Sequence, residues 1–237
     1  MSTTIYNRDE FLTNLANKLG RERSKEPVTR PKLKYSCHHE VMANFNQQEL
    51  SLWLLEYAKS SLGVLAIECT QAELSDSLER ICTNYDAGKI VLSSDPRMKA
   101  LNVFDSLKAQ FDDVYCWDVE QSYQNNIAQA EKAKVGIVYA EQALAESGTM
   151  VLHSNPEQGR AISLLPEASV FIIPQSKIVP RMTQAASELH QMAQRGERLP
   201  SCVNFISGPS STADIELIKV VGVHGPVHAA YVVVSDL

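Results

Sequence analysis

A loop of small and hydroxylated residues, Ser207-Gly-Pro-Ser-Ser-Thr212, is the stretch of this sequence best suited to hold an anionic ligand. It follows an apolar run that predicts a strand, and ligands of open α/β sheets bind outside the carboxyl ends of strands. Gly208 permits close approach of the backbone, and the hydroxyl and N–H groups could face a carboxylate or phosphate. A tight turn followed by a helix N-cap fits the same residues, so both interpretations stay open. The candidate ligand-binding residues here are Ser207, Gly208, Ser210, Ser211, Thr212, Asp214 and Glu216.

A histidine between two glycines follows this loop, in the segment Gly222-Val-His-Gly-Pro226. The imidazole of His224 could act as an acid–base group or bind a substrate carboxylate near neutral pH, with Gly225 beside the ligand. A histidine in a turn is more often a structural hydrogen-bonding residue. Its nearness in sequence to the hydroxylated loop keeps the catalytic interpretation open.

A carboxylate precedes a glycine turn in Glu146-Ser-Gly-Thr149, which lies between two apolar runs. Glu146 in that setting could serve as a base or nucleophile, with Gly148 and Thr149 binding the ligand. A helix-ending glutamate ahead of a glycine turn is the alternative. In the segment Ser163-Leu-Leu-Pro166, Ser163 could either line a pocket or belong to a turn that ends a strand.

Composition excludes several classes of function. The 28 acidic and 22 basic side chains give a net charge of -6, which repels a nucleic-acid backbone. The five cysteines are widely separated and form no Cys-x-x-Cys pair, which argues against a metal site or iron–sulfur cluster in this chain and favours reduced thiols in the cytoplasm. No apolar run is long enough to span a membrane. No Gly-x-Gly-x-x-Gly or P-loop pattern marks a nucleotide cofactor.

Short apolar runs alternate with amphipathic segments from Gly63 onward, which is typical of β-α-β units. We expect an α/β fold, a three-layer sandwich with a mostly parallel sheet, preceded by N-terminal helices. Residues 1–36 are predicted to form an N-terminal helix and a polar connector, and residues 37–237 the α/β domain. The predicted strands are Val64–Ile67, Lys89–Leu92, Val114–Trp117, Val135–Tyr139, Thr149–Leu152, Val170–Ile173, Cys202–Ile206 and Ala229–Val234.

The ordered series of motifs resembles the lactate-utilization C family, the LUD domain. The matching segments are Ala145–Thr149, Ser163–Pro166, Ile206–Glu216 and Gly222–Pro226, and the similarity extends over essentially the whole chain. One departure is Ser211, where many relatives carry arginine, so that hydroxyls and N–H groups must hold any anion. The resemblance implies a three-layer fold related to the sugar-phosphate isomerase and CoA-transferase group. It also implies a role in oxidising L-lactate to pyruvate beside iron–sulfur partner proteins.

Two hypotheses follow for the function. In the first, the chain is a non-redox component of an iron–sulfur-dependent L-lactate oxidation system and binds a small carboxylate, lactate or pyruvate, or a partner protein. The clusters then reside in the partners, because this sequence contains no recognisable motif for an electron acceptor. In the second, the chain is a stand-alone acyl-transfer or isomerase-type enzyme that uses Glu146, since Glu146-Ser-Gly148 faintly resembles the Glu-Asn-Gly of CoA-transferases. Self-association stays open.

Overall fold

The computed structural model describes residues 6–24, 26, 29, 31–86, 88–214 and 217–237. The chain divides into two compact units, Met1–Ser36 and Cys37–Leu237. In the first unit, the predicted helix is confirmed as α1, Arg8–Lys18, and the guanidinium of Arg23 donates to the carboxylate of Asp9 at 2.5 Å. The described residues between Arg21 and Ser36 form no regular secondary structure.

The second unit is built around a parallel sheet. Within the described residues this sheet has six strands in the order β1-β12-β7-β4-β2-β3, and all neighbours run parallel. Strand β4 shows why the sequence predicts such a sheet, because every residue of Val-Gly-Ile-Val-Tyr is buried and both faces are covered. The strands are β1 (Leu65–Cys69), β2 (Lys89–Leu92), β3 (Asp113–Cys116), β4 (Val135–Tyr139), β7 (Ala168–Pro174) and β12 (His228–Val234).

Helices cover both faces of this sheet, which confirms the three-layer α/β prediction. The helices of this unit are α2 (Cys37–Glu40), α3 (Gln47–Ser60), α4 (Leu74–Asn84), α5 (Pro96–Ala100), α6 (Val103–Gln110), α7 (Tyr123–Glu131), α8 (Ala161–Leu164) and α9 (Met182–Gln194). On one face, Leu54 of α3 and Ile162 of α8 share a core with Phe171 and Tyr231. Helix α8 lies so close to β4 that a Cβ added at Gly136 would fall 1.9 Å from the carbonyl oxygen of Ile162.

The opposite face is covered by three other helices. Leu78 of α4, Met98 of α5 and Leu107 of α6 pack in a second core against Ile137 of β4 and Val232 of β12. Alternate residues along β4 and β12 therefore enter different cores, as the period of two in a strand requires. None of the helices in the described part of the chain has both the length and the apolar character that crossing a bilayer would need.

The unit also contains a second sheet, which the sequence did not predict. It contains β5 (Gln142–Leu144), β6 (Thr149–His153), β8 (Ile178–Val179) and β9 (Val203–Ser207), in the order β8-β5-β6-β9. The runs predicted as Thr149–Leu152 and Cys202–Ile206 lie here, antiparallel to each other. The reason is local, because Gly148 has a φ of +60° and turns the chain into a β5–β6 hairpin directly after β4. A short antiparallel hairpin joins β10 (Ser211–Thr212) to β11 (Val220–Val221).

Candidate functional site

The antiparallel pairing of β6 and β9 brings two of the predicted motifs together. Thr149 lies opposite Ser207, and their hydroxyl oxygens are 2.6 Å apart. The hydroxyl of Ser147 is 2.7 Å from that of Thr149. We call Ser147, Thr149 and Ser207 the hydroxyl cluster. Thr149 is buried and Ser207 is exposed, so the hydroxyl cluster runs from the core to the surface.

A tyrosine that the sequence analysis did not identify holds the two motifs in place. The hydroxyl of Tyr231, on β12, donates to the carbonyl of Gly148 and accepts from the N–H of Gly208, both at 2.8 Å. Tyr231 is fully buried, and burial raises the pKa of its phenol. The sequence gives only a weak indication of this role, which is that a tyrosine within an otherwise apolar strand needs a hydrogen-bond partner for its hydroxyl.

Gly148 and Gly208 are required for close packing as well as for their positive φ angles. A Cβ added at Gly148 would lie 2.7 Å from a methyl group of Leu62, and one added at Gly208 would lie 3.2 Å from the Cβ of Leu62. Both glycines are buried and both have positive φ, +60° and +70°. The close approach that the glycines were predicted to offer a ligand is therefore taken by the side chain of Leu62.

Glu146 forms an ion pair that the sequence did not indicate. Its carboxylate lies 2.9 Å from Nε of Arg181, which precedes α9. The N–H of Glu146 donates to the carbonyl of Pro180 at 3.0 Å. The Glu146 side chain is 38% exposed. The glutamate is accessible from solvent, adjacent in sequence to the hydroxyl cluster and paired with a cation.

Many polar groups of the loop after β9 form hydrogen bonds with other residues of the same loop. The N–H of Ser210 donates to the carbonyl of Pro226 at 2.9 Å, and the carbonyl of Ser210 accepts from Gly222 at 2.8 Å. The hydroxyl of Thr212 donates to the carboxylate of Asp214 at 2.7 Å. Ser211 is exposed and stays available to a ligand, whereas Glu216 lies outside the described residues.

His224 and Gly225 lie at the other end of this loop. They line an open cavity of about 470 Å³ together with Lys134 and Glu167, which directly precede β4 and β7. His224 is exposed. Its cavity is thus at the amino ends of the parallel strands.

Ser163 is a buried residue of α8. Its hydroxyl donates to the carbonyl of Arg160 at 3.2 Å, and its carbonyl accepts from the hydroxyl of Ser169 at 2.8 Å. The second of these bonds connects α8 to β7. In the structure Ser163 thus holds a helix against the sheet.

A charged network that the sequence analysis missed lies at the carboxyl ends of β2 and β4. The guanidinium of Arg97 donates to the buried carboxylate of Asp95 from Nε at 2.9 Å and from Nη2 at 2.6 Å. It also donates to both oxygens of Glu141, at 2.8 and 2.5 Å. Burial raises the pKa of Asp95, but the hydrogen bonds and charge of Arg97 outweigh it and hold that pKa below its ordinary value. We call Asp95, Arg97 and Glu141 the carboxylate–arginine network.

The cysteines are dispersed in the structure as in the sequence. All five are free, Cys69 and Cys82 are buried, and burial raises the pKa of Cys82 to about 12. Cys37-His38-His39 begins α2. In the described ranges, no group of three or more His, Cys, Asp or Glu side chains is arranged to hold a metal ion.

Comparison with known proteins identifies the family to which this chain belongs. The LUD domain family model matches residues 57–234, and the chain belongs to the LUD domain family. A crystal structure of a DUF162 family protein from Deinococcus radiodurans has a similar fold, with a TM-score of 0.57 at 19% identity, and the match covers 80% of this chain and 99% of that one.

Individual relatives are more similar still. The chain is 43% identical over 237 residues to "Lactate utilization protein C" of Geobacillus thermodenitrificans, covering 98% of each chain. It is 45% identical over 230 residues to "Uncharacterized protein YkgG" of Escherichia coli, covering 97% of this chain and 99% of that one. The protein of the same lactate utilization name from Bacillus velezensis is 40% identical over 240 residues.

Proposed function

We propose that this protein serves lactate utilization as a non-redox component of an iron–sulfur-dependent system that oxidises L-lactate to pyruvate. The observation that carries the proposal is the 43% identity, over 98% of both chains, to a protein named for lactate utilization. The proposal includes a cytoplasmic location and partner proteins that hold the iron–sulfur clusters.

The arrangement of cysteines supports the division of work between this chain and its partners. Oxidation of lactate releases two electrons, and iron–sulfur clusters are held by grouped cysteine thiolates. Here Cys69 and Cys82 are buried within an apolar core, and burial raises the pKa of both thiols. Thiols in such an environment are poor cluster ligands, because the ligand is the thiolate. The electrons are then passed to partners, and this chain binds lactate, pyruvate or the partner surface.

A deletion strain tests the proposed function. We expect loss of growth on L-lactate as the carbon source, restored by the wild-type gene, and co-purification of the tagged protein with cluster-bearing proteins that absorb visible light. Growth on glucose is the control. Normal growth on L-lactate in a strain with no second lactate pathway would contradict the proposal.

The alternative function is acyl transfer through Glu146. The observation that favours it is the partial exposure of this carboxylate, 38%, beside the hydroxyl cluster. The ion pair with Arg181 opposes it, since the carboxylate would have to leave a partner at 2.9 Å before it could attack a thioester.

Substitution of Glu146 separates the two functions. Under the lactate proposal, Glu146→Gln is expected to support normal growth on L-lactate and to change the free energy of unfolding by less than about 1 kcal/mol, because the ion pair is at the surface. Growth curves and urea unfolding measure these two quantities. A glutamyl adduct trapped from wild-type protein with acyl-CoA and hydroxylamine, and absent from Glu146→Gln, would favour acyl transfer.

A further inference from the structure

A cavity of about 720 Å³ opens at the carboxyl edge of the parallel sheet, beside the carboxylate–arginine network. Strands β2 and β4 are neighbours, but the chain leaves them in opposite directions, from β2 outward to β3 and from β4 inward to β7. Such a reversal opens a crevice between the two strand ends, and open α/β sheets bind ligands there. We call this the switch-point cavity.

The wall of the switch-point cavity combines polar and apolar parts. Its polar part comes from Glu141 after β4, from His153 and Ser154 at the end of β6, and from Arg198 between α9 and β9. Met192, Leu199 and Pro200 supply an apolar side. A concave site of this volume with a few convergent polar groups is typical of small-molecule binding.

Arg97 lines the cavity but is not free to bind an anion. Four of its five N–H donors are already used by the carboxylates of Asp95 and Glu141. The network of one guanidinium and two carboxylates carries a net charge of about -1, so it attracts hydrogen-bond donors. An anionic group must therefore bind elsewhere in the cavity.

Arg198 supplies that second location. Its side chain is exposed at the cavity, and within the described part of the chain no hydrogen bond or ion pair engages its guanidinium. A free guanidinium binds a carboxylate through two parallel hydrogen bonds.

Ser154 and His153 offer unused hydrogen-bonding groups. Among the described residues, the hydroxyl of Ser154 is the buried side-chain polar group that lacks a hydrogen-bond partner. A buried group of this kind is costly unless a ligand or a water satisfies it. Burial lowers the pKa of the adjacent His153, even though Glu141 opposes this shift. Burial thus favours the neutral form of this imidazole, which has one donor and one acceptor nitrogen.

We propose that the switch-point cavity binds a hydroxylated organic acid, whose carboxylate pairs with Arg198 while its hydroxyls bond to Glu141, His153 and Ser154. The site is inferred from the residues that line the cavity and does not depend on the proposed function. L-Lactate is one member of this class, and its choice as a probe rests on the proposed function. The cavity exceeds what a three-carbon acid fills, so a six-carbon acid, D-gluconate, is the second probe.

Calorimetric titration of the full-length protein tests this site with matched pairs of ligands. L-Lactate is compared with propionate, and D-gluconate with hexanoate, so that each pair differs in hydroxyl groups. We expect at least one hydroxy acid to bind with a Kd below about 1 mM, and its hydroxyl-free partner to bind about tenfold more weakly.

Variants locate the binding. Arg198→Gln and Ser154→Ala are each expected to weaken binding of the hydroxy acid about tenfold or more. Arg195→Gln is the matched control, because it removes a positive charge from the same segment but the Arg195 guanidinium pairs with Glu197 outside the cavity. The affinity of Arg195→Gln for the hydroxy acid should match that of the wild type.

Folding of the variants is checked by urea unfolding. Ser154→Ala is expected to retain or slightly raise the stability of the ligand-free protein, because it removes a hydroxyl without a partner. Ser169→Ala is the contrasting variant and is expected to lose stability, because the Ser169 hydroxyl donates to the Ser163 carbonyl.

The proposal fails if neither hydroxy acid binds at about 10 mM, or if Arg195→Gln weakens binding as much as Arg198→Gln. These outcomes are distinct from failure of the proposed function. Loss of growth on lactate in the deletion strain without acid binding would overturn the site alone. Acid binding that depends on Arg198, with normal growth of the deletion strain, would overturn the lactate role alone.

Discussion

Replacing Tyr231 with phenylalanine is expected to lower the free energy of unfolding by about 3 kcal/mol, although the substitution removes a single oxygen atom. That oxygen serves both the carbonyl of Gly148 and the N–H of Gly208, and both glycines are buried. Without it, two buried backbone groups lose a partner, and each unsatisfied group costs about 1–3 kcal/mol. Urea unfolding of the two proteins measures the difference. Hydrogen exchange at Gly208 should accelerate as well.

Tyr85→Phe is the control for this prediction. The hydroxyl of Tyr85 makes one bond, to the carbonyl of Ala229 at 3.2 Å, and the residue is only partly buried. Its loss is expected to cost about 1 kcal/mol. Equal losses in the two variants would contradict the role assigned to Tyr231.

Replacing Arg97 with methionine is expected to lower the free energy of unfolding by about 2–3 kcal/mol at pH 7. The substitution leaves the carboxylate of Asp95, whose side chain is 4% exposed, without its counter-ion beside a second carboxylate, Glu141. The expected loss is smaller than for a fully buried pair because the Arg97 side chain is 38% exposed and solvent screens part of the interaction. Lys134→Met is the matched control, since its partner Glu167 is 45% exposed and the expected change is under about 1 kcal/mol.

The dependence of this loss on pH has a definite sign. In wild type, Arg97 holds the pKa of Asp95 below its ordinary value, so this stabilisation is present at neutral pH and is lost as the pH falls through that lowered pKa. In Arg97→Met, the hydrogen bonds and charge of the guanidinium are lost, and only the backbone N–H at position 97 still opposes the effect of burial, so the pKa of Asp95 is higher in the folded variant than in the folded wild type. The stability difference should therefore shrink between pH 7 and about pH 4. A difference that grows in acid would contradict this account.

Much of the fold was predictable because its signals are local. The fully apolar run of β4 and the alternation of strands with amphipathic helices indicate a covered parallel sheet. The assignment of β6 and β9 to a separate sheet was not predictable, because pairing depends on where the chain turns after β4. Asp95-Pro96 did carry a local signal for α5, since Asp95 is its N-cap and proline occupies the first turn.

The candidate site was predictable only in part. The motifs around Thr149 and Ser207 were recognised separately, and the structure shows their hydroxyls in contact. The partners that hold them could not be recognised, because Tyr231 lies 83 residues from Gly148 and hydrogen bonds at that separation leave no periodic pattern. The same is true of Arg97 and Glu141, which are 44 residues apart and meet because β2 and β4 are adjacent.

The order of strands in the parallel sheet also affects how the chain can fold during its translation. Strand β1, near the start of the domain, has its hydrogen-bonded neighbour in β12, which is translated about 160 residues later. Until β12 leaves the ribosome, β1 has an unpaired edge and β7 lacks one of its two neighbours, so the nascent domain exposes backbone groups that can pair with other chains. A premature stop that removes β12 would therefore leave β1 without its hydrogen-bonded neighbour.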